Sequence, residues 1–204
     1  SRRQRQMCIR DSCLILVFAC IFGYSVYKDT ATFDSKKLLS SGASVMYDSN
    51  GDIMYTYGSQ ENGTRKNVTY DDLPQVLVDA IVAAEDSRFF EHNGFDLPRI
   101  VKAALSNLKA GGITGGGSTI TQQLIKNITD DNEVSLTRKM REICKALKLE
   151  NEYTKDEILE AYLNVVNFGN NCQGVESAAQ LYFDKSIENC SIAECAAIAG
   201  ITQN

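Results

Sequence analysis

The chain has 204 residues, of which 44% are hydrophobic and 23% charged, a composition that excludes disorder as its main state. Its net charge of −5 gives no support for a nucleic-acid binder. One histidine, His92, excludes a His-rich metal site and leaves a Ser-His-Asp mechanism a single imidazole to use.

The N-terminus reads as an address. Residues Cys13 to Val26 carry no charge, and four arginines (2, 3, 5 and 10) stand before them against one acid, Asp11. That places +3 in residues 1–12 and −8 in the remainder. A basic flank, an apolar run and an acidic body fit a membrane anchor over residues 13–27, single-pass, with the body outside the cytoplasm. Fourteen uncharged residues are fewer than the roughly 20 that a spanning helix needs, so the anchor reads as incomplete. Residues 1–12 read either as a cytoplasmic tail or as a translated adapter sequence. A signal peptide and a lipoprotein signal at Cys20 are the rival readings, and neither is followed or preceded by suitable small residues.

Residues 28–66 form a polar stalk and a β-hairpin, with β-rich runs flanking Asp48-Ser49-Asn50-Gly51. From residue 67 the pattern is helical. Leu73, Val76, Leu77, Ala80, Ile81 and Ala84 keep helical spacing after Pro74. Further helices are expected over 96–109, 118–128, 135–151, 154–165, 175–183 and 191–201, and Thr154 with Glu157 spells a capping box. Five glycines between Gly111 and Gly117 interrupt the helices. The seven cysteines form no CxxC pair, so their thiols stay reduced or a single pair such as Cys172 with Cys190 forms.

Four stretches carry candidate chemistry. In AAEDSRFFEHNGFD (83–96), Glu85 closes an apolar helix and is followed by Phe89 and Phe90. Apolar neighbours and a helix C-terminus both disfavour a charged carboxylate, which suits a general base. Taken alone the stretch reads more simply as a surface acid, and His92 as a loop hydrogen-bonder. In GGGSTITQQLIKN (115–127), glycines before Ser118 and Thr119 can present N–H groups to an anion, although no Walker loop occurs. Thr119, Gln123 and Lys126 share a helix face with Asn127 beside them, apart from the apolar row of Ile120, Leu124 and Ile128. In TRKMREICKALKLE (137–150), Arg138, Glu142 and Lys145 share a face with Arg141 adjoining. This is either a solvated ion pair or a phosphate clamp with one embedded carboxylate. The fourth stretch, 155–183, with Ile158, Leu159, Tyr162 and Leu163 at helical spacing, reads as scaffold.

In this order the segments EDSRFFEHNG, GGSTITQQLIKN, RKMRE, KDEILEAYLN and AECAAIAGITQN resemble the peptidoglycan glycosyltransferase domain of bacterial class A penicillin-binding proteins, glycosyltransferase family 51. The resemblance covers residues 67–204. It implies a mainly α, lysozyme-like fold with a membrane-facing lobe around the glycine loop. The activity implied is polymerisation of lipid II into β-1,4-linked glycan strands with release of undecaprenyl diphosphate. It also implies that Glu85 is the catalytic base, with Asp86 its motif neighbour, and Glu142 the second essential glutamate. By the same resemblance, Ser118, Thr119, Gln123, Lys126, Asn127, Arg138 and Lys139 surround the donor diphosphate, and Phe89 and His92 shape the cleft. The implied partners are lipid II, the growing glycan strand, the bacterial cell membrane and other cell-wall synthesis proteins. Mg²⁺ or another divalent cation could bridge diphosphate and carboxylate through oxygen ligands, with Asp86 and Glu142 the candidates. Gly115 departs from relatives, which often have a polar residue there. The domain is expected to continue past Asn204, with or without a transpeptidase domain beyond. A lysozyme-like lytic enzyme and a catalytically silent, membrane-anchored wall-binding module are the rival classes.

Overall fold

The computed structural model describes residues 17, 20–26, 28–30, 32–33, 44–49, 53–57, 67–112, 116–129, 133, 135–170 and 172–202. Residues 1–12, the first part of the expected anchor and Gly115 lie outside them. Among the described residues no helix is long and apolar enough to cross a membrane. Residues 20–26 and 28–30 are helical. This segment rests on a later helix through its last turn, where Asp29 pairs with Lys145 at 2.7 Å and Lys148 Nζ donates to the carbonyls of Thr30 and Phe33.

Two short strands follow, β1 (Ser44–Tyr47) and β2 (Ile53–Tyr57), paired antiparallel with Val45 opposite Thr56 and an irregularity between Met46 and Tyr47. The rest is helical: α1 (Gln75–Glu85), α2 (Leu97–Ala110), α3 (Ile120–Thr129), α4 (Leu136–Glu152), α5 (Lys155–Val165), α6 (Val175–Phe183) and α7 (Ile192–Ile201). The ends follow local chemistry. Thr154–Glu157 and Ser191–Glu194 form capping boxes, and Ser135 Oγ accepts from the Arg138 N–H.

One apolar core holds these helices together. It is centred on Leu77 and Ile81 of α1, Ile120 and Leu124 of α3, Leu149 of α4, and Ile158, Leu159 and Leu163 of α5, all essentially inaccessible. Burying each such side chain contributes about 1.5–3 kcal/mol. α3 packs between α4 and α5, and α1 lies against α7. The segment at residue 68 is strapped to α5 by Asn164, whose amide accepts from the Val68 N–H at 3.0 Å and donates to its carbonyl at 2.8 Å. The consequence for the site is that the C-terminal end of α1 and the N-terminal half of α3 are fixed from both sides.

Cys20, Cys144, Cys172, Cys190 and Cys195 are free thiols, so the alternative of a Cys172–Cys190 pair is not realised. Burial pushes the Cys172 thiol above its ordinary range, which keeps it protonated.

Candidate active site

α1 ends at Glu85, and the next residue leaves the helix with φ −157° and ψ 75°. Adjacent carboxylates are thereby sent to different surroundings. Glu85 is only 8% exposed and its Oε2 accepts from Gln123 Nε2 at 2.8 Å. The other end of the Gln123 amide, Oε1, accepts from the Tyr162 hydroxyl at 3.2 Å. Tyr162 is fully buried, and that burial, with the nearby Glu85 charge, holds its phenol well above the usual range.

Asp86 is wholly inaccessible. It accepts from His92 Nε2 at 2.9 Å, from Arg99 Nη1 at 3.3 Å and from the Ile120 N–H at 3.1 Å. It therefore ties together the loop after α1, the first turn of α2 and the start of α3. Asp96 acts in the same region. It accepts from the Arg99 N–H at 3.0 Å and from the Arg88 guanidinium, which caps α2. Burial pushes the Asp96 carboxyl up, but the Arg99 N–H and the Arg88 cation outweigh this and leave it below the ordinary range.

The row expected from Thr119, Gln123 and Lys126 divides into three roles. Thr119 is buried; its hydroxyl donates to the Gly94 carbonyl at 2.7 Å and accepts from the Gln122 N–H, while Gln122 Oε1 accepts from the Thr119 N–H. That is a reciprocal cap at the start of α3. Gln123 faces Glu85, and Lys126 and Asn127 are exposed.

On α4, Glu142 is 5% exposed and accepts from Arg138 Nη1 at 2.5 Å and from the Lys139 ammonium. Lys139 Nζ also donates to Ser118 Oγ at 2.9 Å, so the glycine loop and α4 are joined through one cation. Lys126, Arg138, Arg141, Glu142 and Lys145 line one small pocket. The Nε atoms of Arg138 and Arg141 are buried there without a hydrogen-bond partner. Arg138 is paired with Glu142 and Lys145 with Asp29, so the lining keeps an excess of positive charge that favours an anion nearby.

Phe89 and His92 lie in the loop after α1, where His92 is bonded to Asp86. Phe89 is fully buried, edge-on to Phe90 at 5.1 Å, and Lys155 Nζ lies 4.4 Å from its ring centroid. Lys155 also donates to the His92 carbonyl at 2.6 Å and pairs with Glu150 at 2.7 Å. Among the described residues no three His, Cys, Asp or Glu side chains converge as metal ligands. Asp86 and Glu142, the two candidates, are each already held by cationic partners, so they offer a divalent ion no ready-made seat.

Sequence reasoning missed Gln122, Tyr162, Arg88, Asp96, Arg99, Glu150 and Lys155. Only Gln122 had a local signal, the Thr-x-x-Gln pattern before an apolar helix.

A buried carboxylate bonded to an amide on α3, on the helix that also carries Lys126 of the cationic pocket, is the arrangement against which known proteins can be compared. The transglycosylase family profile matches residues 50–204. The chain is 42% identical over 157 residues to penicillin-binding protein 1A of Neisseria flavescens, covering 77% of this chain and 19% of that protein. It is 35% identical over 190 residues to penicillin-binding protein 1F of Bacillus subtilis (92% and 26%), and 42% identical over 156 residues to penicillin-binding protein 1A of Pseudomonas aeruginosa (76% and 19%). The chain belongs to the transglycosylase family, as a peptidoglycan glycosyltransferase domain of the class A penicillin-binding protein type. It spans about a fifth to a quarter of the length of these relatives.

Proposed function

We propose that this chain polymerises lipid II into β-1,4-linked glycan strands by an inverting transfer that releases undecaprenyl diphosphate. The donor linkage is α and the product β, so one displacement suffices, with the base and the leaving group on opposite faces of the sugar. Glu85 takes the proton of the acceptor 4-hydroxyl as that oxygen attacks the anomeric carbon. The bond from that carbon to the diphosphate oxygen breaks, and the electron pair leaves with the diphosphate. The growing negative charge is met by Lys126 and Arg138, with Arg141 adjoining, so leaving-group protonation is not needed. Glu142 holds the Arg138 and Lys139 side chains in place against their mutual repulsion.

The observation that carries this reading is the layout of α3. Gln123, on Glu85, and Lys126, in the cationic pocket, are three residues apart, about 4.5 Å along the helix axis. Base and anion pocket are thus tied to one rigid helix, which supports a displacement in which the two flank the sugar from opposite faces. The N-terminal residues 13–27 belong to this proposal as the membrane anchor, keeping the domain beside its lipid-linked substrate on the extracytoplasmic side.

The test is incubation of the protein with labelled lipid II. Polymer in the native protein and a loss of about 10²–10⁴-fold in Glu85→Gln are expected, because the amide keeps the shape and lacks the base. Cleavage of preformed glycan without polymerisation would replace the proposal with a lytic activity, and binding without turnover with a silent wall-binding module.

A further inference from the structure

The hydroxyl of Tyr162 has no packing role that phenylalanine would not fill, yet it is buried in the core among Ile158, Leu159 and Leu163. A buried hydroxyl is costly unless it is hydrogen-bonded. Its partner is Gln123 Oε1, and Gln123 Nε2 is the group on Glu85. A carboxamide can be turned end for end about its last bond, and its two ends have opposite chemistry. Turned one way it donates to Glu85; turned the other way it sets a carbonyl oxygen against a carboxylate oxygen. A neutral phenol on the far side selects between the two, because its O–H is satisfied as a donor only by Oε1.

We propose that Tyr162 is a positioning residue for the transfer reaction, acting through Gln123 to lock the amide so that its N–H holds Glu85 Oε2 in place. It touches no substrate. The proposal rests on Glu85 being the base. Burial favours the donor role, since desolvation keeps the phenol protonated. The lock joins three helices, with Glu85 at the end of α1, Gln123 on α3 and Tyr162 on α5. It therefore fixes the base relative to the helix that also carries Lys126.

The experiment compares Tyr162→Phe, Gln123→Ala, the double variant and Glu85→Gln, measuring polymerisation of labelled lipid II at varied concentration together with thermal melting. Tyr162→Phe keeps the ring, so its melting should stay close to that of the native protein. Loss of one orienting hydrogen bond should lower kcat about 3- to 10-fold with KM nearly unchanged. In the Gln123→Ala background the same change should have no further effect on kcat, because the element it acts through is gone. An unchanged kcat in a well-folded Tyr162→Phe, or a full additional loss in the double variant, would overturn the lock. Should Tyr162→Phe melt low, the additivity test in the Gln123→Ala background still decides, because a purely structural defect persists there. Full turnover by Glu85→Gln would instead overturn the reading of Glu85 as the base.

Discussion

Gly94 is where the backbone at the site has least room. Its φ is +83°, and a Cβ built on it would lie 2.9 Å from both the carbonyl carbon and oxygen of Ala146 and 3.0 Å from Glu150 Cγ. Gly94→Ala therefore incurs two costs. A positive φ in an L-residue costs about 1–2 kcal/mol. Forcing a methyl group against helix backbone that cannot turn aside costs about 1–3 kcal/mol more. The expected loss is about 2–5 kcal/mol, a large part of the roughly 5–15 kcal/mol that holds a domain folded. Activity should fall further than stability alone explains. The Gly94 carbonyl is the acceptor for Thr119, and pushing it off α4 pulls on the cap of α3 and hence on Gln123. Urea melts of the variant beside Gly116→Ala provide the assay. Gly116 is exposed with nothing within 4 Å of a built Cβ, so its variant should stay within about 0.5 kcal/mol of the native protein. A Gly94→Ala protein as stable as Gly116→Ala would refute this account of how the loop docks on α4.

Two further outcomes are expected. Lys126→Ala should weaken binding of a diphosphate-bearing donor more than binding of an acceptor sugar lacking that group, and Lys126→Arg need not restore it because a forked cation presents its charge differently; equal losses for both ligands in binding titrations would remove Lys126 from the diphosphate. Asp96 has a carboxyl held below the ordinary aspartate range by the Arg99 N–H and the Arg88 cation, so its contribution is present above that range and fades as pH falls through the lowered folded value. Asp96→Asn should therefore cost about 1–3 kcal/mol near neutral pH, with the gap to the native protein narrowing in melts below about pH 4, and a gap that stayed constant would contradict the Arg88 and Arg99 assignment.

What the sequence discloses depends on how local the cause is. Helix ends written in capping residues, such as Thr154–Glu157 and Ser191–Glu194, are found where they are read, because donor and acceptor lie three residues apart. The Arg138–Glu142 pair is legible for the same reason, and Lys139 joins it from the adjacent turn. Helical spacing also places Thr119, Gln123 and Lys126 on one side, but it carries no information on how deep each one sits. Thr119 lies against Gly94, twenty-five positions away, and becomes a buried cap; Lys126 lies at the rim. Lys145 illustrates the same limit, since its partner Asp29 comes from the far N-terminal segment. Tyr162 fits an apolar stripe, and only the fold reveals that its one polar atom reaches the amide on Glu85.

The neighbouring carboxylates show why the site needs both. Asp86 is committed: a guanidinium, an imidazole and a backbone N–H converge on it, and it has no access to solvent. Protonating it would weaken all three contacts at once and loosen the junction of α1, α2 and α3. Glu85 sits one residue earlier, on the last turn of α1, and accepts from the neutral amide of Gln123. The turn between them, with its extended φ at Asp86, is what sends Asp86 into the scaffold and leaves Glu85, the proposed base, facing Gln123.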